Sequence, residues 1–429
     1  MFAPARLSIP QLSVYAASFL IQAVCGLSAQ NFTARSANLN PFGVNGPLPF
    51  GELPDFGGGA GLKGGFAVGV GLTSTYDSNI LLSEDDPESD VSVSISPTFN
   101  YTTDPEGGAL RIISASYSPS ANASFNNSDY NSFDQSGSLG MIISGSRTTI
   151  SAFAGVSQAS GADSLAASQG FFTGTAVSLG LQVGYQLAPR TSVSAGLSSS
   201  ITDYGDGTTG SSAVGFSGYS ANLSGSWAAT ERLSFGPSLS YSTNSSDGDG
   251  DFDTWGLSMQ GSYKASERIQ VSASLGFQYV EYSQEGASSD ISPTGSLNAS
   301  YQIDELWSWS SSIQSGLTPS PTGSSYVING WMISSNLNRQ LLIGSAGIGV
   351  VMDFSNFQSA GQPGLFQANQ LSQASEDNQQ NIGLTLNYSR PLPLFSDRLG
   401  FTTSLIYTVN YGDFEYTQVL LNAGLNMAF

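Results

Sequence analysis

From Phe66 to the end of the chain, apolar residues alternate with small polar residues, and this period of two limits most strongly how the chain folds. In residues 269–279, Ile, Val, Ala, Leu, Phe and Tyr occupy every second position, with Gln, Ser and Gly between them. Successive side chains of a β-strand point to opposite faces, so each such segment predicts a strand with one apolar and one polar face. Runs of nine or more alternating residues are long enough for a tilted strand to cross a bilayer.

The polar face distinguishes this chain from a soluble β-sandwich, which also alternates. A sandwich hides its apolar face and exposes charged residues to water. Here the polar face is Ser, Gly, Gln and Asn, and only 10% of all residues are charged. A water-filled lumen inside a barrel whose apolar face meets lipid explains this composition better. No stretch after residue 30 is apolar enough for a spanning helix, so the sequence predicts an all-β, transmembrane antiparallel barrel.

Counting the alternating runs predicts about 18 strands, within a range of 16 to 20, in a barrel over residues 66–429. An even count suits a single-chain bacterial barrel. The predicted strands start near residues 66, 89, 109, 135, 148, 175, 192, 218, 233, 252, 269, 291, 308, 325, 342, 379, 400 and 416.

The connections between these runs alternate in length, which predicts short turns at one end of the barrel and long loops at the other. The tight connections lie at residues 146–147, 188–191, 229–232, 265–268 and 304–305. The longer ones, rich in Gly, Asp and Ser, are 206–217, 244–251, 284–290 and 358–378. Outer-membrane barrels place short turns in the periplasm and long loops outside. The Gln- and Asn-rich loop 358–378 is a candidate to fold inwards and narrow the lumen, with a surface loop as the alternative.

Acidic and basic residues are divided between the long loops and the short turns in the same way. The acids concentrate in the long loops, whereas each Lys and Arg after residue 100 falls at or beside a predicted short turn. These basic residues are Arg111, Arg147, Arg190, Arg232, Lys264, Arg268, Arg339, Arg390 and Arg398.

The N-terminus has the pattern of an export signal in residues 1–29. One positive charge at Arg6 precedes a mostly apolar stretch, and Leu27-Ser28-Ala29 offers small residues for cleavage. Residues 30–65, rich in Gly and Pro and without periodicity, predict an irregular arm. The single cysteine, Cys25, lies in the signal, so no disulfide is expected. The net charge of −20 argues against nucleic acid as a partner, because phosphates would be repelled.

The chain has no histidine, which removes the commonest catalytic base and the commonest transition-metal ligand. No pair of acids is apparent at lumen-facing positions where carboxylate catalysis would need it. The sequence therefore predicts that the protein is not an enzyme.

Two acidic clusters are candidate sites in the long loops. Asp247, Asp249, Asp251 and Asp253 alternate with other residues, and carboxylates so spaced can converge on calcium, although the closing Glu of a calcium loop is absent. The alternative is an acidic hairpin tip kept soluble by its charge. The second cluster lies in the first long loop and predicts a negatively charged channel mouth that favours cations. Its members are Glu84, Asp85, Asp86, Glu88 and Asp90.

Aromatic residues near the strand ends are typical of the girdles that barrels place at the membrane surfaces. They are Tyr76, Phe99, Tyr101, Tyr185, Trp227, Tyr263, Trp307, Trp309, Tyr388, Tyr407 and Tyr411. A sugar-stacking path is the alternative. In the last predicted strand, alternate residues from Val419 to Phe429 are mostly apolar and the chain ends on an aromatic. This resembles the C-terminal strand by which the outer-membrane assembly machinery recognises its clients.

Three short motifs resemble those of a known family. The first runs from Thr75-Tyr76-Asp77-Ser78-Asn79-Ile80 through the acidic loop to the strand that begins at Val91. The others are Gly316-Leu317-Thr318-Pro319-Ser320-Pro321-Thr322-Gly323 and Asn338-Arg339-Gln340-Leu341. Over most of residues 66–429 the chain is similar to the β-barrel porin type 2 family of Gram-negative outer-membrane proteins, some of which accompany exopolysaccharide export. The resemblance implies a barrel in the outer membrane and carries over no catalytic residue.

Together these observations predict an exported outer-membrane protein of a Gram-negative bacterium that acts as a passive, cation-preferring channel for small hydrophilic solutes. Its partners would be membrane lipid, lipopolysaccharide and the assembly machinery, with no cofactor apart from the calcium candidate. An exopolysaccharide conduit and a sealed barrel with a surface structural or binding role are the alternatives. The sequence carries no signal for an oligomeric state.

Overall fold

The structure is a computed structural model. It describes residues 65–103, 111–162, 171–204, 215–246, 251–283, 289–319, 326–359, 378–392, 398–412 and 415–429. The predicted export signal and nearly all of the predicted arm lie outside these residues, as does most of the loop 358–378.

The described chain is made almost entirely of strands, apart from a 3-10 turn at Ser128–Tyr130. The strands are β1 (Gly65–Asp77), β2 (Asp90–Thr102), β3 (Arg111–Ser124), β4 (Ser132–Ser144), β5 (Thr148–Ala162), β6 (Phe171–Ala188), β7 (Thr191–Tyr204), β8 (Phe216–Ala228), β9 (Leu233–Ser246), β10 (Phe252–Lys264), β11 (Ile269–Tyr282), β12 (Asp290–Gln302), β13 (Trp307–Pro319), β14 (Tyr326–Gln340), β15 (Ser345–Ser359), β16 (Asn378–Pro391), β17 (Leu399–Tyr411) and β18 (Tyr416–Ala428). The count of 18 confirms the number predicted from alternation, and each strand starts within four residues of its predicted start. Among the described residues, no helix is long and apolar enough to cross a membrane.

Each strand pairs antiparallel with its neighbours in sequence, and β1 also pairs with β18. That closing contact, called the seam below, runs in continuous register from Gly69 opposite Ala428 to Asp77 opposite Leu420. Closure removes the free edges that would otherwise leave backbone N–H and C=O groups unpaired in lipid.

The two faces of the wall differ as the alternation predicts. The outer face carries large apolar side chains that remain exposed, such as Leu275 at 75% and Leu257 at 62%. Buried hydrophobic residues are few in the described part, and they are Tyr130, Phe252, Val280, Ile406 and Tyr416. The fold therefore has no central apolar core, and its apolar surface is an outer belt. A belt of this extent is far larger than the apolar patches that soluble monomers expose, and lipid is the solvent that matches it.

The connections divide between two ends of the barrel. The short-turn end carries 145–147, 189–190, 229–232, 265–268 and 303–306, which confirms the predicted tight connections. The long-loop end carries 78–89, 205–215, 247–251, 283–289 and 360–377. The division by length is incomplete, because 103–110 joins β2 to β3 at the short-turn end and 412–415 joins β17 to β18 at the long-loop end.

Candidate functional site: the lumen and its mouth

The middle of the lumen wall is lined by serine hydroxyl groups that bond across neighbouring strands. The Oγ atoms lie 2.7 Å apart in Ser116 and Ser138, 2.6 Å in Ser198 and Ser220, and 2.8 Å in Ser274 and Ser296. Each hydroxyl has one donor and two acceptor sites, so a single cross-strand bond leaves capacity for water or a polar solute. Around these serine pairs the wall is hydrophilic and uncharged.

These side chains are too small to fill the lumen. With strands about 4.8 Å apart and tilted by about 40°, a barrel of this strand number is roughly 35 Å across between opposite backbones. Ser, Gly, Thr and Asn reach only a few ångströms inward. Sealing such a lumen therefore depends on segments other than the strands themselves.

One recess in the wall lies where β1 and β15 to β18 meet. It is a cavity of about 200 Å³. Its lining is made of hydroxyl and amide groups together with a glycine and a tyrosine, from Thr73, Ser345, Asn387, Tyr388, Ser389, Thr402, Thr403, Ser404, Asn422 and Gly424. Such a lining offers hydrogen bonds to a neutral hydrophilic molecule and no charge to an ionic one.

Carboxylate side chains face the lumen in the half of the barrel nearer the long loops. Strand register places Asp77, Asp90, Asp134 and Asp353 on the lumen face. Asp134 accepts hydrogen bonds from Asn122 Nδ2 at 2.6 Å and from Ser132 Oγ at 3.3 Å. Among the described strands, Lys264 at the short-turn end is the one basic residue with a lumen-facing position. The electrostatic potential of the lumen is therefore negative towards the long-loop end.

The charge division predicted from the sequence is confirmed for the described residues. All nine Lys and Arg residues after residue 100 lie at strand ends or turns of the short-turn end. Described acids at that end are Glu231, Glu267, Asp304 and Glu305. Arg339 packs its guanidinium over the ring of Trp307 at 5.0 Å, which holds one basic group on the outer face beside an aromatic.

The first long-end loop, residues 78–89, positions the predicted mouth acids differently from one another. Glu84, Asp85 and Asp86 are exposed, and Glu88 is half-buried. Asp90 is 3% exposed, and its Oδ1 accepts hydrogen bonds from the backbone N–H groups of Val91 at 2.6 Å and Asn126 at 3.1 Å. The predicted cluster therefore consists of three exposed acids and two, Glu88 and Asp90, that are partly or fully buried.

Tyr130 secures this loop from the neighbouring connection 125–131. Its hydroxyl donates to Glu88 Oε2 at 2.9 Å, and the side chain is 7% exposed. Burial, reinforced by the hydrogen bond to Glu88, raises the pKa of Tyr130 to about 12. The tyrosine therefore stays neutral and remains a donor well into the alkaline range.

The seam residue Asp77 is a lumen-facing group that the sequence analysis did not single out. Register places it directly opposite Asp90, so the expectation that no pair of acids shares a lumen-facing position is wrong. Gln418 of β18 donates from Nε2 to both carboxylate oxygens of Asp77, at 3.0 and 2.9 Å. Alternation does assign Asp77 and Asp90 to the polar face, but their pairing depends on strand register.

Lumen-facing side chains near the long-loop end are buried on strands around the wall. They are Asp90, Thr202, Phe252, Thr254, Val280, Ser292, Ser355, Thr408, Asn410, Tyr416 and Gln418. Lower on the wall, Gln182 and Ile406 are buried as well, whereas Ser262 and Ser272 are half-buried and Asn298 is exposed. The lumen is therefore more filled at its long-loop end, called the mouth below.

The calcium candidate is only partly described. Asp247 and Asp249 lie outside the described residues. Asp251 Oδ1 accepts a hydrogen bond from Ser245 Oγ at 2.9 Å, and Asp253 lies on the outer face of β10. Within the described ranges, no group of three or more Asp, Glu, His or Cys side chains is arranged to hold a metal ion. The calcium assignment stays a prediction.

The predicted girdle residues all have outward-facing positions near strand ends. Tyr76, Trp227, Tyr263 and Tyr411 are exposed by 38 to 49%. Their outward direction does not fit a sugar path inside the lumen, and the girdle interpretation is the one that the geometry favours.

The closed wall, the apolar outer face and the polar lumen define a transmembrane antiparallel β-barrel. No protein-family model matches the chain, and no curated protein is significantly similar to it. The resemblance to the β-barrel porin type 2 family is thus not supported by a family match, while the barrel that it implied is confirmed.

Solved structures with a similar fold include OprD of Pseudomonas aeruginosa, at 11% identity and a TM-score of 0.42, covering 85% of this chain and 95% of that one. The FrpB iron transporter of Neisseria meningitidis has 11% sequence identity and a TM-score of 0.43, and the match covers 80% of this chain and 62% of that one. The ferric citrate transporter FecA has 11% sequence identity and a TM-score of 0.45, and the match covers 82% of this chain and 60% of that one. The chain thus spans less than two thirds of the length of these two transporters. Identities and scores of this size say nothing about what this chain binds or carries.

Proposed function

We propose that the protein is an outer-membrane channel for small hydrophilic solutes and that it prefers cations. The observation that carries the proposal is the lumen wall, which carries cross-strand serine hydroxyl pairs and on which the charged groups of the described strands, apart from Lys264 at the short-turn end, are carboxylates. A closed barrel of 18 strands belongs to the size class whose lumen is wide enough for water.

The proposed location follows from the outer face. Exposed leucines, valines and aromatics on β1 to β18 would aggregate in water, and a bilayer removes that cost. In this proposal the outer face contacts membrane lipid and lipopolysaccharide in a Gram-negative outer membrane. The strand that ends at Phe429 would be recognised by the assembly machinery, and its alternate residues do face outwards.

Cation preference follows from the charges inside. Fixed carboxylates on the wall of a water-filled passage raise the local concentration of cations and lower that of anions. Asp134 and Asp353 face the lumen in its long-loop half, and the exposed acids Glu84, Asp85 and Asp86 lie in a loop at that end. The effect weakens as salt rises, because exposed charges are screened.

The test is single-channel conductance of the refolded protein in a planar bilayer under a salt gradient. We expect steady conductance and a reversal potential of the sign for cation preference. The double variant Asp134→Asn, Asp353→Asn is expected to move the reversal potential towards zero. Asp203→Asn, which neutralises an exposed carboxylate on the outer face, is the matched control and should leave it unchanged. Anion preference in the unmodified protein would overturn the proposal.

A sealed barrel with a surface role is the second candidate, because lumen-facing side chains at the mouth are buried. A refolded, heat-modifiable protein that gives no conductance would support this candidate over the channel. The uncharged wall also suits a conduit for a neutral exopolysaccharide. In that case the gene would neighbour glycosyltransferase genes, and large neutral polymers would block the conductance.

A further inference from the structure

The charged side chains on the outer face of the described strands are divided between the two ends of the barrel. Those at the short-turn end, called the basic rim below, are Arg111, Arg339 and Arg390. Those at the long-loop end, called the acidic rim, are Asp203, Asp253 and Glu281. All six lie at the first, second or penultimate residue of a strand. The apolar belt between the rims carries no charge on the described strands, so each rim marks one boundary of the belt.

The basic rim adjoins apolar and aromatic groups that face the same way. Arg339 is directly opposite Trp307 in the register, and Arg390 is directly opposite Phe401. An arginine at the boundary of an apolar surface lays its aliphatic stem along that surface and keeps its charged group in the polar layer beyond it. In the proposed membrane location, that polar layer is the headgroup region of the bilayer. The basic rim therefore meets lipid headgroups.

Arg339 shows how such a headgroup would be held. Its guanidinium lies over the Trp307 ring at 5.0 Å, and Asp304 Oδ1 accepts from the backbone N–H of Trp307 at 2.7 Å, which fixes the start of β13. Stacking engages the flat face of the guanidinium and leaves its in-plane N–H donors available. Those donors form a fork that matches two oxygens of a phosphate group. Arg339 is thus a preorganised phosphate-binding group at the edge of the belt.

The charge of this end favours headgroups with a net negative charge. The nine basic residues there outnumber the four described acids, Glu231, Glu267, Asp304 and Glu305. Those four acids lie in the turns and not on the outer face of the strands. A zwitterionic headgroup offsets its own phosphate with an ammonium group, which basic side chains repel, whereas an anionic headgroup has no such group. Basic residues near a membrane surface are attracted to anionic lipids for this reason.

We propose that the basic rim binds the phosphate groups of anionic glycerophospholipids in the leaflet at the short-turn end. The stacked guanidinium of Arg339 is the best-defined contact, and Arg111 and Arg390 extend the surface around the barrel. The acidic rim repels the same headgroups, so the preference is confined to one boundary. The inference rests on the proposed membrane location and needs no conductance.

The direct test is quenching of tryptophan fluorescence by brominated lipid in vesicles of phosphatidylglycerol and phosphatidylcholine in equal parts. Two variants of the full chain each keep one outward tryptophan, Trp307 beside the basic rim or Trp255 beside the acidic rim, with Phe at the other tryptophan positions. At Trp307 we expect phosphatidylglycerol to associate roughly fivefold more strongly than phosphatidylcholine, as one basic group at a membrane surface gives. High salt should reduce this preference. Trp255 should show none.

Arg339→Gln should remove the preference at Trp307. Lys264→Gln, which neutralises a lumen-facing charge at the same end, is the matched control and should leave it unchanged. Equal association of the two lipids at Trp307 would overturn the proposal and leave the membrane location standing. Quenching of Trp307 by neither lipid would overturn both. An equal preference at Trp255 and Trp307 would also overturn the proposal, because it would show that the rims do not differ.

A second measurement keeps the proposal testable if the variants with one tryptophan do not fold. The protein is extracted from the same vesicles in mild detergent, and the phosphatidylglycerol retained by each barrel is counted by native mass spectrometry. Neutralising the basic rim with Arg111→Gln, Arg339→Gln and Arg390→Gln should reduce the retained lipid several-fold. Neutralising the acidic rim with Asp203→Asn, Asp253→Asn and Glu281→Gln should not reduce it. Equal retention by these two variants would contradict the proposal.

Discussion

The hydroxyl of Tyr130 donates a hydrogen bond of 2.9 Å to Glu88 Oε2, which ties the connection between β3 and β4 to the one between β1 and β2. Asn126 adds two bonds to the same junction, to Asp90 Oδ1 at 3.1 Å and to the carbonyl of Ser89 at 3.3 Å. Two neighbouring long-end connections thus form one bonded unit at the mouth.

Removing the hydroxyl should weaken this unit. Tyr130→Phe is expected to lower the free energy of unfolding by roughly 1.5 kcal/mol, because the bond is made to a charged acceptor that is half-buried. Urea unfolding of the refolded protein measures the change. Tyr219→Phe, which alters a tyrosine 58% exposed on the outer face, should change the free energy far less. Equal effects of the two variants would show that the Tyr130 bond contributes nothing.

The same residue gives a pH dependence with a defined sign. Its folded pKa of about 12 lies above the ordinary value of 10.0, so the folded protein keeps a proton that the unfolded chain has lost. The contribution to stability is therefore complete below pH 10 and is lost as the pH rises towards 12. The difference in unfolding free energy between the unmodified protein and Tyr130→Phe should shrink over that interval. A difference that stays constant with pH would contradict the prediction.

A close approach of Phe153 to Gly180 gives a test of wall packing. The two are direct partners on the lumen face of β5 and β6, and the Phe153 ring occupies the space where a Cβ on Gly180 would lie. Gly180→Ala should cost about 1–3 kcal/mol, because the ring must move. Gly184→Ala on the same face of β6 meets nothing closer than Thr149 O at 3.9 Å. Unfolding free energies of the two variants should differ accordingly, and equal values would refute the packing.

An arginine introduced on the outer face of β11 should lower the free energy of unfolding more than one introduced on its lumen face. Leu275 is 75% exposed at the middle of the outer face, so Leu275→Arg in lipid should cost about 2–4 kcal/mol. Ser272→Arg, on the lumen face of the same strand, should change the free energy by about 0.5 kcal/mol or less. Unfolding from lipid vesicles separates the two. A tolerated arginine at position 275 would argue against lipid at this face.

Much of the fold follows from the sequence because side-chain direction along a strand is a local property. Alternation between Leu275 and Gly276 or between Leu425 and Asn426 assigns each residue to a face without reference to any other strand. Strand number, strand starts and the ends at which basic residues lie could therefore be predicted. The acids Glu84, Asp85, Asp86 and Glu88 were also assigned to a loop, since a run of charge between two alternating segments marks a loop.

The pairing at the mouth could not be predicted in this way. Gln418 meets Asp77 across 341 residues of chain, and Asp90 meets Asp77 through a register that a shift of one residue would destroy. The order of residues does not reveal that Asp90 Oδ2 and Gln418 Oε1 are buried without a hydrogen-bond partner. It does not reveal the contact between Phe153 and Gly180 either. The sequence by itself determined which face each side chain takes, because covalent geometry sets the period of a strand. Only the tertiary structure decided which side chains meet, because closure of the barrel sets the register between strands that are distant in the chain.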